Sequence, residues 1–303
     1  MSQQKILSVQ SFVSSGYVGN SAVTFPLQRL GVQVCPIHTV MFSNHTGYGA
    51  WRGKIFEPAL VEEVFVGMKE RGALVGTQAL LTGYMGSKEL GLSMIRIIRE
   101  LKQINPDLLY CCDPVIGDVG RGIFVREGVP EFFKNEMLQY ADIITPNHFE
   151  LEYLSGNSFH DLQSAVIAAK KVMENGPSIV VVTSLRLREQ SDKLHVLVVD
   201  KNQGYLVTTP LLPVALNGTG DLTSALFTHF YLKEKKINVA LEQTVARVYS
   251  IIAKTLEARS RELVLVEAQE QLVSPAFYFK ATEIKFIFLK DSSDDCVDGR
   301  VRV

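Results

Sequence analysis

The sequence predicts an α/β fold of one domain, with a mostly parallel central sheet and helices on both faces. Three observations carry that prediction. Short apolar runs rich in Val, Ile and Leu alternate with longer amphipathic segments. Most of these runs end in a polar residue: Ser11, Thr82, Asp113, Thr145 and Thr183 each follow one. No repeat, low-complexity tract or linker divides the 303 residues. The expected division is one domain over residues 1–284 and a loose tail over 285–303, where KDSSDDCVDGRVRV has little apolar periodicity.

The elements follow in order. Residues 6–9 form a strand ending in Gln10 and Ser11. Residues 16–30 read as a helix through Val18, Ala22, Phe25 and Leu30, closed by Gly31. A second strand spans 32–42, so the chain opens as a parallel strand–helix–strand unit. The next segment, SNHTGYGAWRGKIF at 43–56, mixes glycines and small polar residues with Tyr48 and Trp51. It is either a flap over a site or a solvent loop tethered by its tryptophan.

A helix at 58–71 leads to a strand at 73–81, followed by Thr82, Gly83 and Tyr84. Ser87 caps a helix that runs to 104 and stops before Asn105-Pro106. A strand at 108–112 ends at Asp113-Pro114 and opens a loop, DPVIGDVGRG. A short helix at 129–138 and a strand at 141–144 follow, the strand ending in Thr145-Pro146-Asn147. Helices then run from Glu150 to Gly156 and from the cap Asp161 to Gly176. The strand at 178–182 ends in Thr183 and Ser184, and 194–199 with 204–209 read as an antiparallel pair. Helices close the chain: one to 233, one over 239–259 and a short amphipathic one over 265–272.

Hydrophobic residues make up 47% and charged residues 21%, the balance of an ordinary globule. The formal net charge of −1 points neither to nucleic acid nor to an acidic membrane surface. No signal peptide or membrane-spanning run is apparent, so the cytoplasm is the expected location. Cys35, Cys111, Cys112 and Cys296 show no metal spacing; the first three lie in apolar runs and read as buried free thiols. His38, His45, His148, His160, His195 and His229 show no ligand spacing, and His45 and His148 read as solvated loop residues.

The stretch NGTGDLTSALF, 217–227, is the organising one. Gly218 and Gly220 permit a tight turn, and the helix start after them offers free amides to an anion. Asp221 lies in the first turn, where a carboxylate can receive a hydroxyl proton while the amides take phosphoryl charge. A bland alternative remains open: Asp221 as a helix cap. In open parallel sheets, ligands bind beyond the carboxyl ends of the strands, where the polar residues named above collect. Walker, GxGxxG, HExxH and GxSxG patterns are absent.

These pieces, VQS, GYVGNSA, FSNHTGYG, the TGY at 82–84, CDPVIGD, ITPNHFELE, VVTS and NGTGDLTSALF, resemble pyridoxal kinases in order and spacing. Pyridoxal kinases are a branch of the ribokinase-like superfamily, and the resemblance covers nearly everything up to Ile284. The resemblance implies a ribokinase-like fold, with ATP-dependent phosphorylation of the 5′-hydroxymethyl group of pyridoxal, pyridoxamine or pyridoxine. It implies Asp221 as base, with Gly218, Thr219 and Gly220 as the anion hole. It implies Ser11, Thr46, Gly47 and Tyr84 at the pyridine, with Val18 and Phe42 as apolar walls. It puts Asp113, Asp118, Thr145, Asn147 and Glu150 near the phosphates, and Thr183, Ser184, Leu216 and Asn217 at the nucleotide.

Asp113, Asp118 and Glu150 are hard oxygen ligands suited to Mg²⁺, in part through water. The resemblance leaves a monovalent cation requirement open and implies a homodimer. Two positions depart from the family: Asn217 stands where an apolar residue is usual, and Thr183 where some close relatives carry lysine. The turn is neither the GTGC of the bifunctional hydroxymethylpyrimidine kinases nor the sugar-kinase form. Two other functions remain in view: a low-turnover binding protein for vitamin B6, and a kinase for another small alcohol.

Overall fold

A computed structural model describes residues 3–285. The strands are β1 (Lys5–Val13), β2 (Gln33–Phe42), β3 (Gly53–Ile55), β4 (Ala79–Thr82), β5 (Leu109–Cys112), β6 (Gly117–Asp118), β7 (Gly122–Ile123), β8 (Ile143–Ile144), β9 (Ile179–Leu185), β10 (Lys193–Asp200), β11 (Gly204–Pro210) and β12 (Thr282–Ile284). The helices are α1 (Asn20–Arg29), α2 (Pro58–Glu70), α3 (Lys88–Ile104), α4 (Val129–Phe132), α5 (His148–Ser155), α6 (Leu162–Met173), α7 (Thr219–Glu234), α8 (Ile237–Glu257) and α9 (Glu270–Val273).

Ten strands form one sheet in the order β12-β11-β10-β9-β8-β5-β4-β1-β2-β3. The six from β9 to β2 are parallel, and the strands outside them are antiparallel. The two faces bury separate cores because strand side chains alternate. Leu7, Leu80, Tyr110, Cys112 and Val180 pack towards α2 to α6. Ile6, Leu81, Cys111, Ile143 and Val181 pack towards α1, α7, α8 and α9. The expected mostly parallel α/β domain with helices on both faces is therefore the observed one.

Several boundaries differ from expectation. The first strand continues to Val13 through an irregularity between Gln10 and Phe12, so Ser11 is a strand residue. The first helix begins at Asn20, because Gly19, at φ 53, holds the chain outside helical geometry. The strand expected from 73 begins at Ala79; before it, Gly72 and Gly76 take left-handed φ values of 68 and 76 and turn the chain. The helix expected at 129–138 is α4 followed by a π turn and a 3₁₀ turn. Only Glu270–Val273 is helical in the last amphipathic stretch.

The segment 43–56 carries β3, paired to β2, and the loop after Asp113 carries the hairpin of β6 and β7. Cys111 and Cys112 are buried free thiols, while Cys35 is only half-buried. The expected tail at 285–303 and Cys296 lie outside the described residues, apart from Lys285. Among the described residues, no helix is long and apolar enough to cross a membrane.

Candidate active site

A cavity of about 530 Å³ lies at the carboxyl edge of the parallel strands. One of its walls is the start of α7. Gly218, at φ 84, precedes that helix, and no side chain caps its first amides. A Cβ on Gly218 would stand 1.9 Å from the Tyr17 carbonyl oxygen, so only glycine fits. Gly19 is held in the same way, its missing Cβ falling 2.3 Å from the Ser11 oxygen. The segments GYVGN and NGTGD are thus packed backbone to backbone, and the uncapped amides open into the cavity.

Asp221 lines the cavity beside Gly218, Thr219 and Gly220. It does not cap the helix; the position before the helix is Gly218. Burial pushes its carboxyl above the ordinary aspartate range, against the amides of Gly19 and of Asp221 itself. A carboxyl so placed is poorly solvated and holds its proton more readily than an ordinary aspartate.

Asp113 faces the same turn from the end of β5. Burial drives its carboxyl well above the ordinary range, helped by the charges of Glu150 and Asp221 and opposed by Ser224. Ser224 Oγ stands 2.9 Å from Asp113 Oδ2 and 2.8 Å from Thr145 Oγ1. The two hydroxyls tie α7 to the ends of β5 and β8. Ser224 lies within NGTGDLTSALF, but a serine on a buried helix face carries no chemical signal in the sequence.

Glu150 is buried, and burial raises its carboxyl to about 8 although three backbone amides favour the ionised form. Its Oε2 accepts the Asn147 amide at 2.9 Å, completing a capping box at the start of α5. Its Oε1 accepts the amides of Ile116 at 2.9 Å and Gly117 at 3.4 Å. Asn147 Nδ2 donates to the Gly117 carbonyl at 2.8 Å. Glu150 and Asn147 therefore hold the root of the β6–β7 hairpin, while Asp118 near its tip is exposed and receives the Val119 amide at 2.7 Å. Among the described residues, no three His, Cys, Asp or Glu side chains converge to hold a metal unaided.

Thr183 and Ser184 enter the cavity from a bulge in β9, where two residues lie opposite Val196 of β10. Ser184 takes a left-handed φ of 55, unusual for serine. Leu216 and Asn217 close this side.

The other end is apolar on its flanks and polar at its floor. Val18 and Phe42 belong to a small core with Val13 and Val40, against which Tyr84 and Ile55 pack. Phe42 also contacts Trp51, with ring centroids 4.2 Å apart. Ser11, Thr46, Gly47 and Tyr84 complete this end. The segment 43–56 is fastened across the mouth: Tyr48 donates its hydroxyl to Glu262 Oε1 at 2.6 Å, and the Arg261 guanidinium lies 5.1 Å above the Tyr48 ring.

The structure brings every sequence-predicted site residue to this one cavity. Thr82, read as part of the polar edge, is buried instead and bonded to Tyr110 at 2.8 Å. The lining also includes Val13, His45, Val115, Gly117, Arg121 and Phe124, which sequence reasoning did not select. His45 is half-buried and accepts the Gly47 amide at 3.1 Å, rather than standing free in solvent. Arg121 carried the only available signal, a lone cation in a glycine loop after two acids.

The family described as phosphomethylpyrimidine kinase matches residues 66–264. A pyridoxal kinase of Rubrobacter xylanophilus is 47% identical over 92% of this chain and 97% of its own. One from Leifsonia xyli is 43% identical over 92% of this chain and 99% of its own. Among solved structures, pyridoxal kinase from Leishmania donovani in complex with ADP and pyridoxamine superposes with a TM-score of 0.88 at 29% identity, covering 93% of this chain and all of that one.

Proposed function

The chain belongs to the pyridoxal kinase family, and from that premise we propose how its residues transfer a phosphoryl group from ATP to vitamin B6. The chain is an ATP-dependent phosphotransferase acting on the 5′-hydroxymethyl group of pyridoxal and its relatives pyridoxamine and pyridoxine. The product is the 5′-phosphate, so the reaction salvages vitamin B6. The observation that supports our reading most directly is the pairing of Asp221 with the uncapped amides at 218–220 inside one cavity.

In this reading the pyridine lies among Ser11, Thr46, Gly47 and Tyr84, between Val18 and Phe42. Hydroxyls there can donate to and accept from the ring substituents. The triphosphate runs from Thr183, Ser184 and Asn147 past Thr145 to the α7 amides, with Leu216 and Asn217 beside the nucleotide. Asp221 takes the proton from the 5′-hydroxyl as the hydroxyl oxygen attacks the γ-phosphorus; the bond from that phosphorus to the β-phosphate oxygen breaks and ADP leaves. The amides of Gly218, Thr219 and Gly220 receive the charge on the equatorial oxygens. Because those donors are fixed by backbone packing, they need no reorganisation during the transfer.

Three acids crowd this end, and each is pushed towards its neutral form. A divalent cation would relieve that crowding, which is the fit expected of Mg²⁺. Asp113 and Asp118 would hold it, with phosphate oxygens and water completing the shell; Glu150, whose oxygens serve backbone amides, would reach it through water. Bound there, it would supply positive charge to neutralise the nucleotide phosphates. A homodimer and a cytoplasmic location complete the proposal, supported by the family's habit and by the sequence composition.

The test is a panel of pyridoxal, pyridoxamine, pyridoxine and hydroxymethylpyrimidine with ATP and Mg²⁺, the phosphorylated product being identified by mass. We expect phosphate on the B6 vitamers. Tight pyridoxal binding with no ADP release would overturn the enzymatic reading.

A further inference from the structure

Four carboxylates line the cavity: Asp113, Asp118, Glu150 and Asp221. A nucleoside triphosphate entering there adds several negative charges. Among the described residues, Arg121 is the only lysine or arginine that lines the cavity. It is exposed, and among the described residues no carboxylate lies within ion-pair distance of it. Its side chain makes one weak hydrogen bond, from Nη1 to Asn217 Oδ1 at 3.5 Å. Asn217 immediately precedes Gly218, so the guanidinium already stands beside the amides that face the cavity.

The mounting of Arg121 fits a ligand role better than an idle surface one. The root of its hairpin is fixed by buried Glu150 and by Asn147, through the bonds to Ile116 and Gly117. At the tip, Gly120 and Gly122 flank Arg121 at φ 82 and 68, the left-handed angles that turn the chain there and present its side chain. Its charge reaches His45 on the opposite flap, whose imidazole it helps to hold neutral after burial has done most of that work. The guanidinium therefore stands between flap and turn, over the helix start. A planar fork of donors suits phosphate oxygens, and a 3.5 Å contact to a neutral amide costs little to exchange for charge-assisted bonds.

We propose that Arg121 binds the terminal phosphates of the nucleotide, leaving Asn217 when ATP enters, and supplies the cation that the glycine turn lacks. This rests on the phosphotransferase reading above. The hairpin is then a mobile part of the phosphate site, and the polar Asn217 is the resting partner of its arginine.

Nucleotide affinity and turnover test the proposal together. Wild type, Arg121→Ala and Arg121→Lys are titrated with ATP and with AMP, and assayed with pyridoxal. In Arg121→Ala, ATP affinity should fall about 10-fold or more while AMP affinity stays within about 2-fold. The value of kcat/KM for ATP should fall roughly 10²-fold, as for other lost transition-state donors, and Arg121→Lys should recover part of it. Equal losses for ATP and AMP would mean that Arg121 only supports the hairpin, and no loss for either would remove it from the site; both overturn the proposal. If wild type fails to phosphorylate pyridoxal, the proposed acceptor is wrong, but the ATP-against-AMP comparison still decides the role of Arg121.

Discussion

Asp221 and Gly218 show how little freedom the reacting end of the cavity has. Gly218 cannot carry a side chain, because a Cβ would meet the Tyr17 carbonyl at 1.9 Å. Asp221 follows at a fixed offset on α7, so the acid and the amides move as one body. Replacing Asp221 with Asn keeps the shape and removes the proton acceptor. We expect kcat to fall roughly 10²- to 10⁴-fold, the usual share of a general base, with ATP affinity little changed. Activity within a few-fold of wild type would reduce Asp221 to a structural residue. The pH profile gives a second view. Burial raises the Asp221 carboxyl, so the acid limb of kcat should lie above the ordinary aspartate range.

Elements that reach over the cavity differ in how they are held. The segment from Ser43 to Phe56 is fastened by the Tyr48 hydroxyl on Glu262 Oε1 at 2.6 Å, and Glu262 Oε2 also accepts the Tyr17 amide at 3.3 Å. Tyr48→Phe removes the fastening without changing the ring. The KM for pyridoxal should rise several-fold with the melting temperature little changed, since a part-buried hydrogen bond contributes only about 1 kcal/mol. An unchanged KM would mean that the β2–β3 pairing, the Phe42–Trp51 contact and Arg261 on the ring hold the segment without the hydroxyl. Helix α3 poses the opposite situation. Gly91 faces Phe132, and a Cβ there would approach the ring to 2.2 Å. Gly91→Ala should therefore cost about 1–3 kcal/mol through overpacking, read as a lower melting temperature with kcat preserved. A gain in stability, from better helix propensity, would show that Phe132 can yield.

The whole molecule gathers its ionisable groups in a way that sets its stability against pH. His229 is buried and its imidazole is held down to about 4. It is neutral in the fold, so the stability it contributes is lost as pH falls below the ordinary histidine value, near 6.5. Glu150 is pushed the other way, to about 8. It holds a proton in the fold that the unfolded chain gives up, so its contribution is lost as pH rises from 4.5 through about 8. Between 6.5 and 8 the carboxyl effect acts against little opposition, at up to about 1.4 kcal/mol per pH unit for each proton. Ligand-free protein should melt at lower temperature at pH 8 than at pH 6.5. Glu150→Gln should flatten that slope, although it starts lower because a backbone amide loses its acceptor. A melting temperature that climbs over this interval would contradict the assignment.

Much of this was legible in the residues alone. Continuous apolar runs and amphipathic helical segments between them set the layers, because a parallel sheet must bury both faces. Gly-Thr-Gly-Asp, and the polar residues after each strand, identified the cavity edge for the same reason: chain direction alone puts all those ends on one side. The resemblance to pyridoxal kinases added which of them would face a ligand. Tertiary structure decided what has no local signature. The turn at 73–76, the bulge that aims Thr183 and Ser184, and the burial of Thr82 on Tyr110 depend on neighbours distant in sequence. So do the Ser224 bridge between Asp113 and Thr145 and the position of Arg121 against Asn217. Local propensity determines which segments are helix or strand. Which of their side chains share a cavity, and which charges stand there unpaired, is set only when strands far apart in the chain pack side by side.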